Sequence, residues 1–370
     1  MARAQHGPHE VEIWSWGALG SATDGTNAGF VFDGYIRFWQ VADLLLRDIE
    51  PSQVDWQRLL SAPGYQELAA HEFQADFLPD LFRLAFNPSL GAALARALQG
   101  GPLARHLAHL LEAERAREDL AREIEFMCRL PLAAAALDAA HRWLPRRAQT
   151  FQPEVAFVIF GPDARAFGRV VLDASFFFRL PHPHLLLAHE YHHVLRRALE
   201  PTGDYGLGDA DAFFVFSQLE REGIADQIDK RQWPDPMEPV SESLAHYQRV
   251  YRRSYTAAPA ALHQLDRLLG TVAARPAERS GLGRQLRAWL QLEGHPVGSF
   301  MARAIELAFG REQLVELVGD PLGFLRAYSK AAASTRQAPP LGENALRILD
   351  LIERNRLRAA ADAASPGRVH

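Results

Sequence analysis

The sequence predicts an α+β protein that is mainly α, and three observations carry that prediction. Apolar residues recur at three- and four-residue spacing from Gly34 to about Leu144. Two β-branched and aromatic runs, "EVAFVIF" and "RVVLDASFF", then follow Pro153, and helical spacing resumes at His184 and continues to about Arg358.

Taken in order, residues 1–30 are rich in Gly, Ala, Ser and Thr and read as an irregular segment with a short strand at "VEIW". The first helix lies in "YIRFWQVADLLLRDI"; Pro51 ends it and allows a new start at "VDWQRLL". Further helices are expected at "SLGAALARAL", with Ser89 as its cap, and from Leu103 to about Cys128. The Gly, Pro and Asp of "GPDARAFG" are turn chemistry, so the two apolar runs on either side predict a strand pair. Beyond it, helices are expected at about 184–199, 210–230, 240–272, 280–292 and 296–309, with more to Arg358. This divides the chain into an irregular segment (1–30), a helical region (31–150), a core that carries the chemistry (151–315), and C-terminal helices with a tail (316–370), all in one compact unit.

Composition narrows the function classes. A formal charge of −5, from 40 basic and 45 acidic residues, gives no electrostatic footprint for nucleic acid or an anionic membrane. No stretch approaches the roughly 18 uninterrupted apolar residues of a membrane span, and the N-terminus lacks an export-signal pattern. A soluble, cytoplasmic protein is expected. Cys128 is the only cysteine, which excludes an internal disulfide, and its apolar helical setting predicts a buried, inert thiol. All basic residues except Lys230 and Lys330 are arginine.

The chemistry concentrates in "LLLAHEYHHVLRR". His189, Glu190 and His193 form HExxH: imidazoles four residues apart share one helix face and can hold one metal ion, while Glu190 stands where it can take a proton from a water on that metal. Leu185, Leu186, Leu187, Val194 and Leu195 would bury another side of the helix. His192 is one position off the ligand pair and is expected to face a neighbouring helix or solvent.

HExxH needs a third ligand. The three-histidine class requires glycine at 196 and histidine at 199, and Arg196 and Leu199 exclude it. A carboxylate must therefore complete the site. "EREGIADQID" offers Glu222 and, one turn later, Asp226, suited to a ligand with a hydrogen-bonding partner for a ligand imidazole behind it. Gly223 would let two helices approach closely. The alternatives are Asp209 or Asp211 as ligand; Glu220, on another face from Glu222, is expected at the surface.

"LLAHEYHHVLR" followed by "EREGIADQID" resembles the gluzincin metallopeptidases, and more closely an uncharacterised bacterial family of zinc-dependent peptidases whose signature couples HExxH to EG(I/L)A(D/E). "FWQVADLLLRDIEPSQVDWQRLLSAPGY" and "GHPVGSFMARAIELAFGREQL" are similar to that family's early and late helices. The resemblance implies a zincin-like fold, one zinc ion on His189, His193 and Glu222, Glu190 as general base, and Asp226 as the hydrogen-bonding partner of His189. It also implies that "RVVLDASFF" is the sheet-edge strand on which an extended substrate lies. The sequence departs from the family at His295 and Ser299, where aromatic residues or tyrosine are the rule. His295 is the candidate for stabilising the developing oxyanion, with Tyr191, Tyr247, Tyr251 and Tyr255 as others. No Gly-x-Met-Glu-Asn block is present, which favours an endopeptidase-like cleft.

The expected function is a zinc-dependent hydrolase acting on a peptide or protein, with no nucleic-acid or membrane partner and an oligomeric state the sequence leaves open. The competing class is a zinc-stabilised binding or regulatory protein without catalysis, and a third is a metal-free helical scaffold.

Overall fold

The computed structural model describes residues 27–74, 76–101, 103–200, 210–235, 242–275, 279–336 and 338–363. The strand expected at "VEIW", Asp209 and the C-terminal tail lie outside these residues. The described chain is mainly helical with one small sheet. Contacts group it into two compact units: residues up to Ala134 together with Pro153–Pro183, and Ala135–Gln152 together with the chain from His184 onward.

The first unit opens with β1 (Phe30–Val31) and the helices α1 (Asp33–Leu46), α2 (Gln53–Leu60), α3 (Pro63–His71), α4 (Phe77–Phe86), α5 (Gly91–Ala97), α6 (Ala104–Arg115) and α7 (Arg117–Met127), then reaches α8 (Leu132–His141), which runs on into the second unit. Local chemistry sets several of these boundaries. Ser52 and Asp55 form a reciprocal capping box that starts α2 after Pro51, and Pro63 occupies the first turn of α3, where its missing N–H costs nothing. The single helix expected from Leu103 to Cys128 is interrupted at Ala116. Asn87, rather than Ser89, caps the short turn before α5 by accepting from the Ser89 N–H.

The sheet corrects the sequence reading. The expected strand pair is part of a four-stranded sheet, with β2 (Val155–Val158), β3 (Ala164–Ala166) and β4 (Val170–Asp173) in the order β1-β2-β4-β3. β2 and β4, read as neighbours across a turn, run parallel, and the "GPDARAFG" segment itself supplies β3, antiparallel to β4. β4 therefore lies inside the sheet and β3 takes the edge, so "RVVLDASFF" is not the edge strand. Every residue of β2 and β4 is buried, which is why their sequences read as unbroken apolar runs rather than alternating ones. Asp173 ends β4 and caps the short helix α9 (Ala174–Phe177) by accepting from the Phe176 N–H at 3.0 Å.

The second unit is built from α10 (Pro183–Arg196), α11 (Ala210–Asp229), α12 (Glu242–Thr256), α13 (Ala258–Ala274), α14 (Arg279–Trp289), α15 (His295–Phe309), α16 (Arg311–Glu316), α17 (Pro321–Thr335) and α18 (Glu343–Ala363). The helix expected over 240–272 is two helices, because Pro259 needs a first-turn position and α13 restarts there after Ala257. α11 is the axis of this unit: fourteen of its twenty residues are buried, and it packs along α15, α14 and α17.

Candidate metal centre

Three helices of the second unit supply the side chains. On α10, Leu187, Ala188, Tyr191, Val194 and Leu195 are buried and seat the helix, which leaves His189 and His193 together on another face. On α11, Glu222 and Asp226 stand one turn apart and are 3% and 0% exposed. α15 begins at His295 after three consecutive left-handed residues: Leu292 (φ 46°), Glu293 (φ 54°) and Gly294 (φ 93°). Two of these are not glycine, each an arrangement costing about 1–3 kcal/mol, and the result is an abrupt entry that starts α15 at His295.

The donor atoms converge. His189 Nε2 and His193 Nε2 are 2.9 Å apart, and Glu222 Oε2 lies 3.4 Å from the first and 3.1 Å from the second. Donors on a tetrahedral zinc ion with bonds of about 2.0–2.1 Å are separated by about 3.3 Å, so this triangle fits zinc in size and in donor chemistry. His295 Nε2 is also 3.4 Å from Glu222 Oε2. Glu190 is 6% exposed and close enough to Arg221 to stabilise that guanidinium.

The electrostatics attract positive charge. Burial and the Lys230 ammonium oppose a charged His189, but the Asp229 and Glu222 carboxylates outweigh them and hold its pKa at about 10. His193 is pushed down to about 3, chiefly by burial and further by charged His189, with Glu222 opposing. Burial would raise Glu222, but His193, His295 and Arg221 keep its carboxyl well below the usual range.

Behind the donors, the carboxylate placed to accept from His189 Nδ1 is Asp229 rather than the expected Asp226: His189 Nδ1 is 2.9 Å from Asp229 Oδ1 and 3.8 Å from Asp226 Oδ1. Asp226 instead meets His295 Nδ1 at 2.9 Å and accepts from the Tyr251 hydroxyl at 2.9 Å. Lys230 Nζ sits between the two aspartates, 3.1 Å from Asp226 Oδ1 and 2.8 Å from Asp229 Oδ2, and supplies the cation that lets two carboxylates share a buried volume. His193 Nδ1 has no hydrogen-bond partner among the described residues.

Other expected positions resolve individually. Asp211 is about half exposed and pairs with Arg287 at 2.7 Å, away from the histidines. Glu220 is fully buried, not at the surface: it pairs with the equally buried Arg196 and accepts from the Gly319 N–H at 3.0 Å. His192 is fully buried beside Trp143. Tyr191 and Tyr251 are fully buried, and Tyr251 is committed to Asp226. Cys128 is buried, and burial pushes its thiol up to about 12.

Sequence reasoning missed Asp229, Lys230 and Arg221. One signal was available for Lys230, since a lysine in a chain with only two, four residues after Asp226, is placed to pair with it.

Residues 56–337, well over half the chain, match the family described as putative zinc dependent peptidase (DUF5700). The chain belongs to this family. The matched span includes all three helices that carry the cluster. No curated protein and no solved structure matches the chain. A family of zinc-dependent peptidases and a buried cluster of His, Glu and Asp side chains agree on zinc.

Proposed function

We propose that this protein is a peptide-bond hydrolase of the gluzincin kind, with one zinc ion on His189, His193 and Glu222 and a zincin-like arrangement of its active-site helices. The observation that carries the reading is the triangle of Nε2, Nε2 and Oε2 atoms at 2.9, 3.1 and 3.4 Å, whose two imidazoles lie on the same helix as Glu190. When bound, zinc supplies Lewis acidity toward a water and the scissile carbonyl. Glu190 takes the proton from the attacking water and returns it to the leaving amine. His295, oriented through Nδ1 by Asp226, turns Nε2 toward the donors and in its protonated form donates to the oxygen that gains charge. Asp229 fixes the His189 tautomer, so that Nδ1 carries the proton and Nε2 the lone pair.

The substrate is a peptide or protein, taken in an endopeptidase-like cleft, and the protein acts in the cytoplasm without nucleic-acid or membrane partners. The near-neutral charge supports the exclusion of nucleic acid. No helix among the described residues is long and apolar enough to cross a membrane.

Replacing Glu190 with Gln should leave zinc bound, measured by elemental analysis, and abolish cleavage of a peptide library. Undiminished cleavage by that variant would sink the mechanism.

A second reading rests on His295, whose Nε2 stands as far from Glu222 Oε2 as His189 Nε2 does. As a fourth donor it would close the site and give a zinc-stabilised binding protein without catalysis. His295→Ala separates the two. In a hydrolase it keeps zinc and loses about 10²–10³ in kcat; in a closed site it weakens zinc binding, and neither variant nor parent cleaves peptide.

A further inference from the structure

The two oxygens of Glu222 have different partners. Arg221 Nε donates to Oε1 at 2.9 Å, and Arg221 Nη2 lies 2.9 Å from the same atom. Oε2 faces the three imidazoles at 3.1–3.4 Å. The Arg221 guanidinium thus holds Oε1 by a charge-assisted hydrogen bond from Nε, with Nη2 equally close to the same oxygen. The fork is rigid, because Nε and Nη2 are fixed in one plane, and a lysine ammonium could not reproduce it.

We infer that Arg221 is a positioning residue that confines Glu222 to binding zinc through Oε2 alone. This rests on the metal centre proposed above and adds to it a reason that the centre stays open. A carboxylate free to turn can bind an ion with both oxygens, and the second oxygen would take a position that a water and a substrate carbonyl need. Arg221 removes that option before any ion arrives. Its location suits it to this role. The side chain is one third exposed, so it sits at the rim of the cluster, and it lies within electrostatic reach of Glu190 and Glu200 as well. The outer oxygen of the third ligand and the proposed general base thus lean on one cation. A structural reading of the same pair, helix stabilisation by adjacent charges, does not account for it, since neighbours in sequence do not face each other on a helix unless a side chain turns back to do so.

The test is cobalt substitution in the full-length chain, comparing the parent protein with Arg221→Gln and Arg221→Lys. Cobalt reports coordination number through its visible absorption, which is strong for four donors and weak for five. Both variants should take up one equivalent of cobalt. Arg221→Gln should lose about half or more of the visible absorbance as Glu222 turns to bind through both oxygens, with zinc affinity changed by about tenfold or less. Arg221→Lys should fall between it and the parent. A spectrum in Arg221→Gln identical to the parent's overturns the inference while leaving the metal centre standing. Failure of the parent itself to bind cobalt or zinc overturns the metal centre and the inference with it.

Discussion

Gly223 and Gly298 meet backbone to backbone where α11 crosses α15. A Cβ built on Gly223 would stand 2.4 Å from the Gly298 carbonyl group, and one on Gly298 would stand 2.2 Å from the Leu219 carbonyl oxygen. Both glycines have ordinary helical backbone, so closeness of approach, not conformational freedom, explains them. Glu222 precedes the first and His295 lies one turn before the second, so this contact sets the spacing between the third candidate ligand and the third imidazole.

Gly223→Ala should therefore separate the helices, since the atoms in the way are backbone and cannot rotate aside. We expect a loss of about 2–3 kcal/mol or more in stability, together with weaker zinc binding. Chemical denaturation and metal titration of the same sample check both. An Ala variant with parental stability would mean that the crossing relaxes freely.

Asp229→Asn should weaken zinc binding by about 10- to 100-fold, because the hydrogen bond that orients His189 loses its charge. Asp226→Asn should affect zinc less and turnover more, since Asp226 holds His295. Competition with a chelator measures the first and kcat the second. The opposite ranking would return Asp226 to the role expected from the sequence.

Glu220→Ala should be far more damaging than an ordinary surface substitution. It leaves the Arg196 guanidinium, fully buried on the helix that carries HExxH, without its buried partner and with only the half-exposed Glu200, and the Gly319 N–H without its acceptor. Removing one member of a buried pair costs about 3–5 kcal/mol. A melting temperature within a degree or two of the parent's would contradict this account.

His109 in the first unit gives a pH-dependent prediction away from the metal. Its Nε2 lies 3.0 Å from Asp173 Oδ1 and 3.0 Å from Ser175 Oγ, and Asp173 also accepts from the Phe160 and Gly161 N–H groups. Burial lowers the His109 pKa, but the Asp173 charge outweighs it and the net shift from 6.5 is upward, with Glu112 adding to it and Arg179 opposing. Burial likewise raises Asp173, and His109 with the backbone donors brings it below 3.8. The pair therefore stabilises the fold fully below about pH 6.5, where His109 is charged in both states, until Asp173 protonates in acid. The benefit fades as pH rises through the elevated His109 value. The difference in melting temperature between the parent and His109→Gln should be larger at pH 5 than at pH 9. An equal difference at both would show that the contact is not ionic.

Much of the candidate site was legible because it is local. His189 with His193, and Glu222 with Asp226, are each four residues apart, and helical geometry alone puts each pair on one face. The helices that carry them fell where their apolar spacing and flanking prolines indicated, with α10 and α11 starting and stopping within a few residues of expectation. The sheet was less legible. Two buried parallel strands with a third, short strand between them in sequence give the same apolar runs as a simple strand pair, so periodicity could not tell a parallel pair from an antiparallel one.

By itself the sequence determined the mainly helical α+β class, the two pairs of side chains that share a helix face, His189 with His193 and Glu222 with Asp226, and the absence of the HExxHxxGxxH pattern. Only the tertiary structure decided which aspartate holds which imidazole, that Glu220 is buried against Arg196, that Lys230 neutralises two carboxylates, and that Arg221 occupies one oxygen of Glu222. The reason is physical. Spacing along one helix fixes a face, but contacts between helices depend on how far each is rotated and slid against the next. Here that depends on the close approach of two glycines, whose contribution is the absence of a side chain and leaves no mark in any hydrophobic pattern.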